Sequence, residues 1–488
     1  MKRQTDPITL VLDQGSHASR IALYSKDGGL LQLASQEVST RSTDEQYEQD
    51  PLEILNSFNA LFNKIQPDYL PYLTNCGVCT QRSSIVAWNK ATGEALSPVI
   101  SWRDLRGQGF INSLIDSEKL SHKTTRKITG LPLSAHYSSS KIHWLLNHNS
   151  GVSHARQAGQ LCIGPVASFL LFHLLQEQTC AIDHSNAQRM LLLDIKTLEW
   201  SDQLLDCFQL TPDVLPGLKP VIHNYGQLKD LNRPVTCVCG DQNAAVHAYP
   251  SLDDTSALIN MGTGAFVLTP AEESPSGKSP EHLLLRSITS SALDQEATTA
   301  TLFTEGTVNG AGASLNWAQD ALPEKNLFEQ LPDWLNTIDS PPIFINTVAG
   351  TGSPWWCNAG EPAFIHAQNG NNKDRYVAII ESIAFLIFKN IEQLNQPITT
   401  LFFSGGLARL DGLCQKISDL SGARASRYEE CESTARGCAL LSHQLLKTKL
   451  IDWKELEVER IFFPQKNKLL HDRYQQFVGE LAKRCSSS

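Results

Sequence analysis

Residues 10–25 read LVLDQGSHASRIALYS: two apolar runs separated by seven small, polar or imidazole residues, Asp13 to Ser19. A plain hairpin needs only two or three turn residues, and Asn-Gly or Asp-Gly serves. Alone, the stretch reads equally as an ordinary polar turn or as a loop shaped around a ligand. A second stretch, ALINMGTGAFVLTP at 257–270, repeats the layout, with Gly262-Thr263-Gly264 between two apolar runs. The two stretches lie about 245 residues apart in a chain of 488, the scale of a duplicated domain rather than of a solenoid repeat. Backbone N–H groups in such turns form concavities for phosphates, and glycine serves where the backbone must approach a ligand closely. Two domains that each open on such a hairpin predict a nucleotide held in a cleft between them.

The composition bounds this reading. A chain of this length exceeds one hydrophobic core, so at least two domains are expected. It is 41% hydrophobic and 19% charged, with a net charge of −10 and a pI near 5.8. That balance argues against a nucleic-acid partner, which clustered Lys and Arg would bind, but leaves room for a small phosphorylated ligand. The longest apolar run, PVASFLLFHLL at 165–175, is too short to cross a bilayer. Asp13 interrupts the first apolar run, so no secretory leader is read, and a cytoplasmic protein without a membrane partner is expected. Of the twelve cysteines, only Cys76/Cys79 and Cys237/Cys239 are closely spaced. No four ligands converge as zinc requires, and buried thiols acting as small apolar residues are expected.

Between and after the hairpins, strand-like and helix-like segments alternate, an α/β pattern in two halves. NCGVCTQRSSIVAWN (75–89) reads as a strand pair, and SSKIHWLLNHN (139–149) and GPVASFLLFHLLQEQ (164–178) read as helices. Residues 308–322, 375–394 and 410–422 have helical spacing, and TTLFFSGG (399–406) is a strand ending in two glycines. The boundaries expected are 1–250, 251–445 and a helical extension at 446–488.

Four glycine-bearing turns each follow a strand-like run: Asp13-Gln14-Gly15, Gly240-Asp241-Gln242, Gly262-Thr263-Gly264 and Gly405-Gly406-Leu407. Open α/β sheets bind ligands at the C-terminal ends of their strands. Phosphoryl transfer needs donors around the phosphates, a divalent cation, and a carboxylate to take the acceptor's proton. Asp13 and Asp241 are the carboxylates available for the last two tasks. The chain has neither a Gly-x-x-x-x-Gly-Lys-Ser/Thr loop nor the protein-kinase catalytic loop, which excludes both of those classes.

From about residue 8 to 445 the chain resembles the FGGY family of carbohydrate kinases, within the actin-like ATPase superfamily, and among them the glycerol kinases. LDQGSHASR and GTGAF resemble the two phosphate hairpins, and GDQNAAVHA the catalytic Gly-Asp-Gln block. TQRSS to SWRDLR resembles the segment running from Asn-Gln-Arg-Glu to Trp-Gln-Asp-Thr-Arg. AIDHSNAQ, EGTVNGAGASLNW and SGGLARLDGL with ESTARGCA supply further blocks in the family's order. The resemblance implies two actin-like, ribonuclease H-like domains, ATP and Mg2+ as cofactors, and a small polyol or sugar as acceptor. A homodimer or a homotetramer is compatible with it. Asp241 would be the general base, although an Asp after a strand also suits a helix N-cap. Asp13 would hold the Mg2+, and Asp241 would be its second carboxylate. Gln14, Gly15, Ser16, His17 and Arg20 would line the first phosphate loop, and Gly262, Thr263, Gly264 and Gly310 the second. Asn316, Gly405, Gly406, Leu407 and Asp411 would serve the nucleoside.

On the acceptor side the resemblance implies Arg82, Ser83, Trp102, His136, Asp241, Gln242 and Phe266. Here the chain departs from the glycerol kinases: Ser83 stands where they carry glutamate and His136 where they carry tyrosine. His17 replaces a threonine of the first loop. A neutral serine accepts fewer hydroxyl protons than a carboxylate, and losing a charged partner costs roughly 1.5–3 kcal/mol. The expected activity is phosphoryl transfer from MgATP to a polyol or sugar longer than glycerol. The alternatives are a glycerol kinase with a diverged pocket and a non-catalytic nucleotide-binding relative. Retention of both Asp13 and Asp241 favours an enzyme.

Overall fold

Strand Ile8–Gln14 (β1) is buried at all its positions, as a strand covered on both faces must be. In the computed structural model, residues 6–43, 46–249, 252–271, 284–294, 297–357, 359–365, 371–429, 432–445 and 453–486 are described. The chain forms two compact units. The first comprises Met1–Pro250, Ser287–Leu302 and Glu432–Glu455, the second Ser251–Arg286, Phe303–Cys431 and Leu456–Ser488. Beyond the boundary at 250 the chain returns to the first unit twice. Segments 287–302 and 432–455 are too short to bury their own apolar faces, so they complete a neighbouring layer rather than a separate body.

In the first unit β1 is followed by Ala18–Ser25 (β2), Leu30–Glu37 (β3), Leu73–Thr80 (β4), Ile222–Gln227 (β5) and Pro234–Gly240 (β6), in the spatial order β5-β6-β4-β1-β2-β3. β1, β2 and β3 are antiparallel neighbours, β4 runs parallel to β1 and β6 parallel to β4. A second set repeats this with Ser256–Met261 (β7), Ala265–Pro270 (β8), Ala297–Val308 (β9, part of the second unit from Phe303 on), Thr400–Ser404 (β10), Arg424–Tyr428 (β11) and Val458–Phe462 (β12), ordered β12-β11-β10-β7-β8-β9. Each pairing in the second set has the sense of its counterpart in the first. The duplication read from two hairpins therefore extends to six strands in each set.

The stretch at 75–89 is not a strand pair. β4 joins the main sheet, while Ile85–Asn89 joins a smaller sheet, antiparallel to Leu161–Pro165. The chain changes sheets at Ser83, whose φ of 63° turns it out of the first plane. Helix Ser433–Gln444 lies on the first unit's sheet, and a Cβ at Gly437 would overlap the Ala244 carbonyl oxygen, so only glycine permits this approach. It brings Cys438 against Cys237 and Cys239, three buried thiols with ligand atoms within 4.8 Å of one another. Cys76, Cys79, Cys237 and Cys239 are buried and free, as expected.

The C-terminal stretch is not wholly helical. Residues 446–452 lie outside the described set; β12 then pairs with β11, and helix Lys468–Ser486 follows. That helix packs Tyr474 and Phe477 on Phe385 of the long helix Asn372–Ile391. A disulfide joins Cys485 to Cys357, 128 residues away, a pairing that no local spacing announces.

Candidate active site

Because β1, β4 and β6 run parallel, their C-terminal ends lie together, with Asp13 beside Cys79 and Cys79 beside Cys239 in register. Asp13 closes this edge on β1 and is 4% exposed. Burial pushes its carboxyl up to about 7; Arg20 opposes the shift, while Asp241 and Glu432 add to it by like-charge repulsion. Arg20 Nη1 lies 3.4 Å from Asp13 Oδ2. The hairpin beyond is braced from outside. Gln49 Nε2 donates to the Ser16 carbonyl (2.9 Å), and Trp102 Nε1 donates to Ser16 Oγ (3.0 Å). His17 is exposed.

Gln81 is the hub of this arrangement. Its Nε2 donates to Gln14 Oε1 (2.9 Å) and Gln49 Oε1 (2.8 Å), and its Oε1 accepts from Ser84 Oγ (2.9 Å). Ser84 Oγ in turn accepts from the Trp102 backbone N–H at 3.0 Å. A buried network this fully satisfied fixes one geometry.

Asp241 opens the helix Asp241–Ala245, with Gly240 as the N-cap residue. Its Oδ1 accepts from the Gln242 N–H at 2.7 Å and lies 3.6 Å from Arg82 Nε. Its side chain remains 28% exposed, so a carboxylate oxygen can meet a ligand. Arg82 also donates to Asn243 Oδ1 at 3.2 Å. The strand end before Asp241 is held by a relay. Asp183 caps the helix His184–Gln188 through the Ser185 and Asn186 N–H groups and bonds the Ser185 hydroxyl, which accepts from the Gly240 N–H at 2.9 Å. Burial raises the Asp183 carboxyl to about 6 against those hydrogen bonds.

Next to Arg82, Ser83 is 1% exposed and its hydroxyl has no hydrogen-bond partner among the described residues. Its carbonyl accepts from Ser138 Oγ (3.3 Å) and from Lys141 Nζ (3.4 Å), and Lys141 also donates to the His136 carbonyl at 2.7 Å. Lys141 is wholly buried, and burial lowers its ammonium to about 7. The His136 ring lies 5.6 Å from that of Trp102. Asp13, Gln14, Ser16, Arg82, Ser83, Trp102, His136 and Asp241 are thus brought together in the first unit.

The second unit assembles its own set. The Gly262 N–H donates to the Gly264 carbonyl, and the Gly262 and Thr263 carbonyls accept from the Gly312 and Ala313 N–H groups, seating helix Gly312–Ala321 on the hairpin. Asn346 Nδ2 holds the Gly310 carbonyl at 2.8 Å, and Asn316 stands exposed on that helix. Phe266 is half-buried on β8. Gly405, at φ 86°, follows β10 so closely that a Cβ would overlap the Met261 carbonyl oxygen. Gly406 is exposed, whereas Leu407 is buried in the unit's core. Both Asp411 oxygens are engaged, one by Arg427 at 2.8 Å and the other by Arg460, so its carboxylate braces the β10–β11 end.

Sequence reasoning missed Gln81, Asp183, Lys141 and Glu432. Gln81 and Asp183 lay inside quoted motifs and could have been found there, but nothing local marks Lys141. A surface cavity of about 240 Å3 lined by Leu55, Phe62, His173 and Leu228 includes none of the candidate residues.

Residues 8–240 match the N-terminal domain, and residues 257–443 the C-terminal domain, of the FGGY family of carbohydrate kinases. A glycerol kinase of Borrelia garinii subsp. bavariensis is 31% identical over 496 residues, covering 95% of this chain and 96% of its own length. One of Brevibacillus brevis is 28% identical over 89% of this chain and 88% of its own. Among solved structures, glycerol kinase of Plasmodium falciparum with ADP superposes with a TM-score of 0.86 at 22% identity, covering 99% of this chain and 98% of that one. Gluconate kinase of Lactobacillus acidophilus gives 0.83 at 17% identity, with 99% and 97% covered. The chain belongs to the FGGY family of carbohydrate kinases, two-domain α/β enzymes that carry a phosphoryl group from ATP to a hydroxyl of a sugar or polyol.

Proposed function

We propose that the enzyme phosphorylates a primary hydroxyl of a small polyhydroxy acceptor, with Asp241 as the base. The observation that carries this is the pairing of Asp241 with Arg82 at a strand end, partly exposed and one strand removed from the buried Asp13. Asp241 takes the hydroxyl proton as the acceptor oxygen bonds to the γ-phosphorus; the bond from that phosphorus to the β–γ bridging oxygen breaks, and ADP leaves with the electron pair. Arg82 keeps Asp241 aimed, and the proton passes from Asp241 to solvent afterwards.

Asp13 fits a magnesium site. A carboxylate whose proton affinity is raised by burial, and further by two neighbouring acids, has negative charge to share with a cation. When bound with ATP, Mg2+ would neutralise phosphate charge there. Arg20 and Ser16 lie beside that position. ADP release from MgATP across glycerol, erythritol, pentitols, ribulose, xylulose and dihydroxyacetone tests the reading. Acceptor-dependent ADP supports it; ATP binding without turnover on any acceptor would return it to a nucleotide-binding relative. Glycerol itself is the second reading, favoured by the curated relatives named glycerol kinase.

A further inference from the structure

Four sulfurs converge on the face of the first unit's sheet that helix Ser433–Gln444 covers. Side chains alternate along a strand, so Cys237 and Cys239 of β6 point to one face. On the neighbouring β4, Cys79 stands in register with Cys239, and Gly77 with Cys237. The glycine leaves a gap on that face, and the Cys438 sulfur enters it from the helix: a Cβ at Gly77 would come within 2.6 Å of Cys438 Sγ. Cys237, Cys239 and Cys438 keep their ligand atoms within 4.8 Å of one another, and Cys237 Sγ lies 4.0 Å from Cys239 Sγ. Four thiolates bound tetrahedrally at about 2.3 Å from a zinc ion stand roughly 3.8 Å apart.

The chemistry of the place agrees with its geometry. All four thiols are buried, in a layer shared with Val11, Ala244, Ala435 and Ala439. Among the described residues, four of the nine free cysteines meet here, a concentration that filling an apolar layer does not require. Against its burial, hydrogen bonds from the Cys237, Cys239 and Cys79 thiols hold the Cys438 sulfur well below the usual thiol range. The cluster thus gathers its protons around one thiolate, and thiolate is the form that binds a metal. Sulfur ligands select soft or borderline cations, and a tetrahedral set of them suits zinc.

We propose that Cys79, Cys237, Cys239 and Cys438 form a closed site for one structural Zn2+. Binding releases the remaining thiol protons to solvent and leaves no position for water or substrate. The ion fastens β4 and β6 to helix Ser433–Gln444, which also packs on the helix that Asp241 opens. This site is distinct from the one proposed for Mg2+ at Asp13, where an oxygen ligand suits a hard cation.

The test is metal analysis of the purified full chain expressed with added zinc, together with the absorption spectrum of protein expressed with cobalt in its place. The expected result is about one zinc per chain that persists through gel filtration in a chelator. The cobalt protein should show sulfur-to-cobalt charge transfer and the visible bands of a tetrahedral ion. Cys237→Ser and Cys438→Ser should each lower bound zinc roughly tenfold or more, whereas Cys207→Ser, on helix Asp202–Phe208 outside the cluster, should keep it. Folded parent protein with zinc at background overturns the site. Zinc retained in both cluster variants overturns its assignment to these sulfurs. A cobalt spectrum without thiolate bands does so as well, even where the variants fail to fold. Iron or copper in place of zinc overturns the choice of ion, and full zinc in Cys79→Ser overturns the fourth ligand.

Discussion

The Trp102 indole N–H donates to Ser16 Oγ at 3.0 Å, joining the loop that carries Trp102 to the hairpin after β1. Trp102→Phe and Ser16→Ala each break this bond, and a double-mutant cycle on kcat/KM should return a coupling of about 0.5–1.5 kcal/mol. Strict additivity would show that the loop and the wall act separately.

Asp241→Asn keeps the shape and removes the proposed base. Its kcat should fall roughly 10²–10⁴-fold, while ATP affinity, read by equilibrium binding, stays within a small factor. A variant that turns over at the parental rate would move the base elsewhere.

Ser83→Glu with His136→Tyr restores a carboxylate and a phenol to the acceptor wall. Glycerol kcat/KM should rise tenfold or more in the pair, since a carboxylate can accept two hydroxyl protons. No gain would mean that the left-handed backbone at Ser83 directs the side chain away from the acceptor.

Lys141 gives a pH signature. Its folded-state value of about 7 lies below the ordinary 10.5, so from pH 7 upward the unfolded chain binds the extra proton. Stability contributed by this position therefore rises with pH across that window, by up to about 1.4 kcal/mol per pH unit. Denaturant melts of the parent and Lys141→Met at pH 6.5 and 8.5 should show the parent gaining on the variant; parallel curves would place the ammonium's affinity near its ordinary value.

Gly405→Ala should destabilise the second unit by roughly 1–3 kcal/mol or more, because φ of 86° with extended ψ is a glycine conformation and the new methyl meets the Met261 carbonyl. A denaturation midpoint unchanged from the parent would contradict this.

Much of this architecture could be read from Asp13, Gly262 and the runs around them, because strands buried on both faces write themselves as unbroken apolar stretches. The break inside 75–89 was harder: TQRSS looks like one more turn, and only the left-handed Ser83 shows that the chain leaves the sheet there. Asp13, Arg82 and Asp241 were legible because their motifs are local. Lys141 was not, since its two carbonyl partners belong to residues 83 and 136, and a lysine on an amphipathic helix reads as solvated. The same limit hid Cys438, which meets Cys237 and Cys239 only after some two hundred intervening residues have folded.

Helix Ser433–Gln444 completes the first unit yet lies close to the end of the chain. During synthesis, β1, β4 and β6 emerge early and wait for most of the chain to be made before the helix that covers them exists. Until then a thiol-lined apolar sheet face stands open to the solvent, the kind of surface on which nascent chains misassociate. A ribosome stalled near residue 430 would hold a nascent chain with Asp241 already synthesised and the helix that packs beneath it still missing.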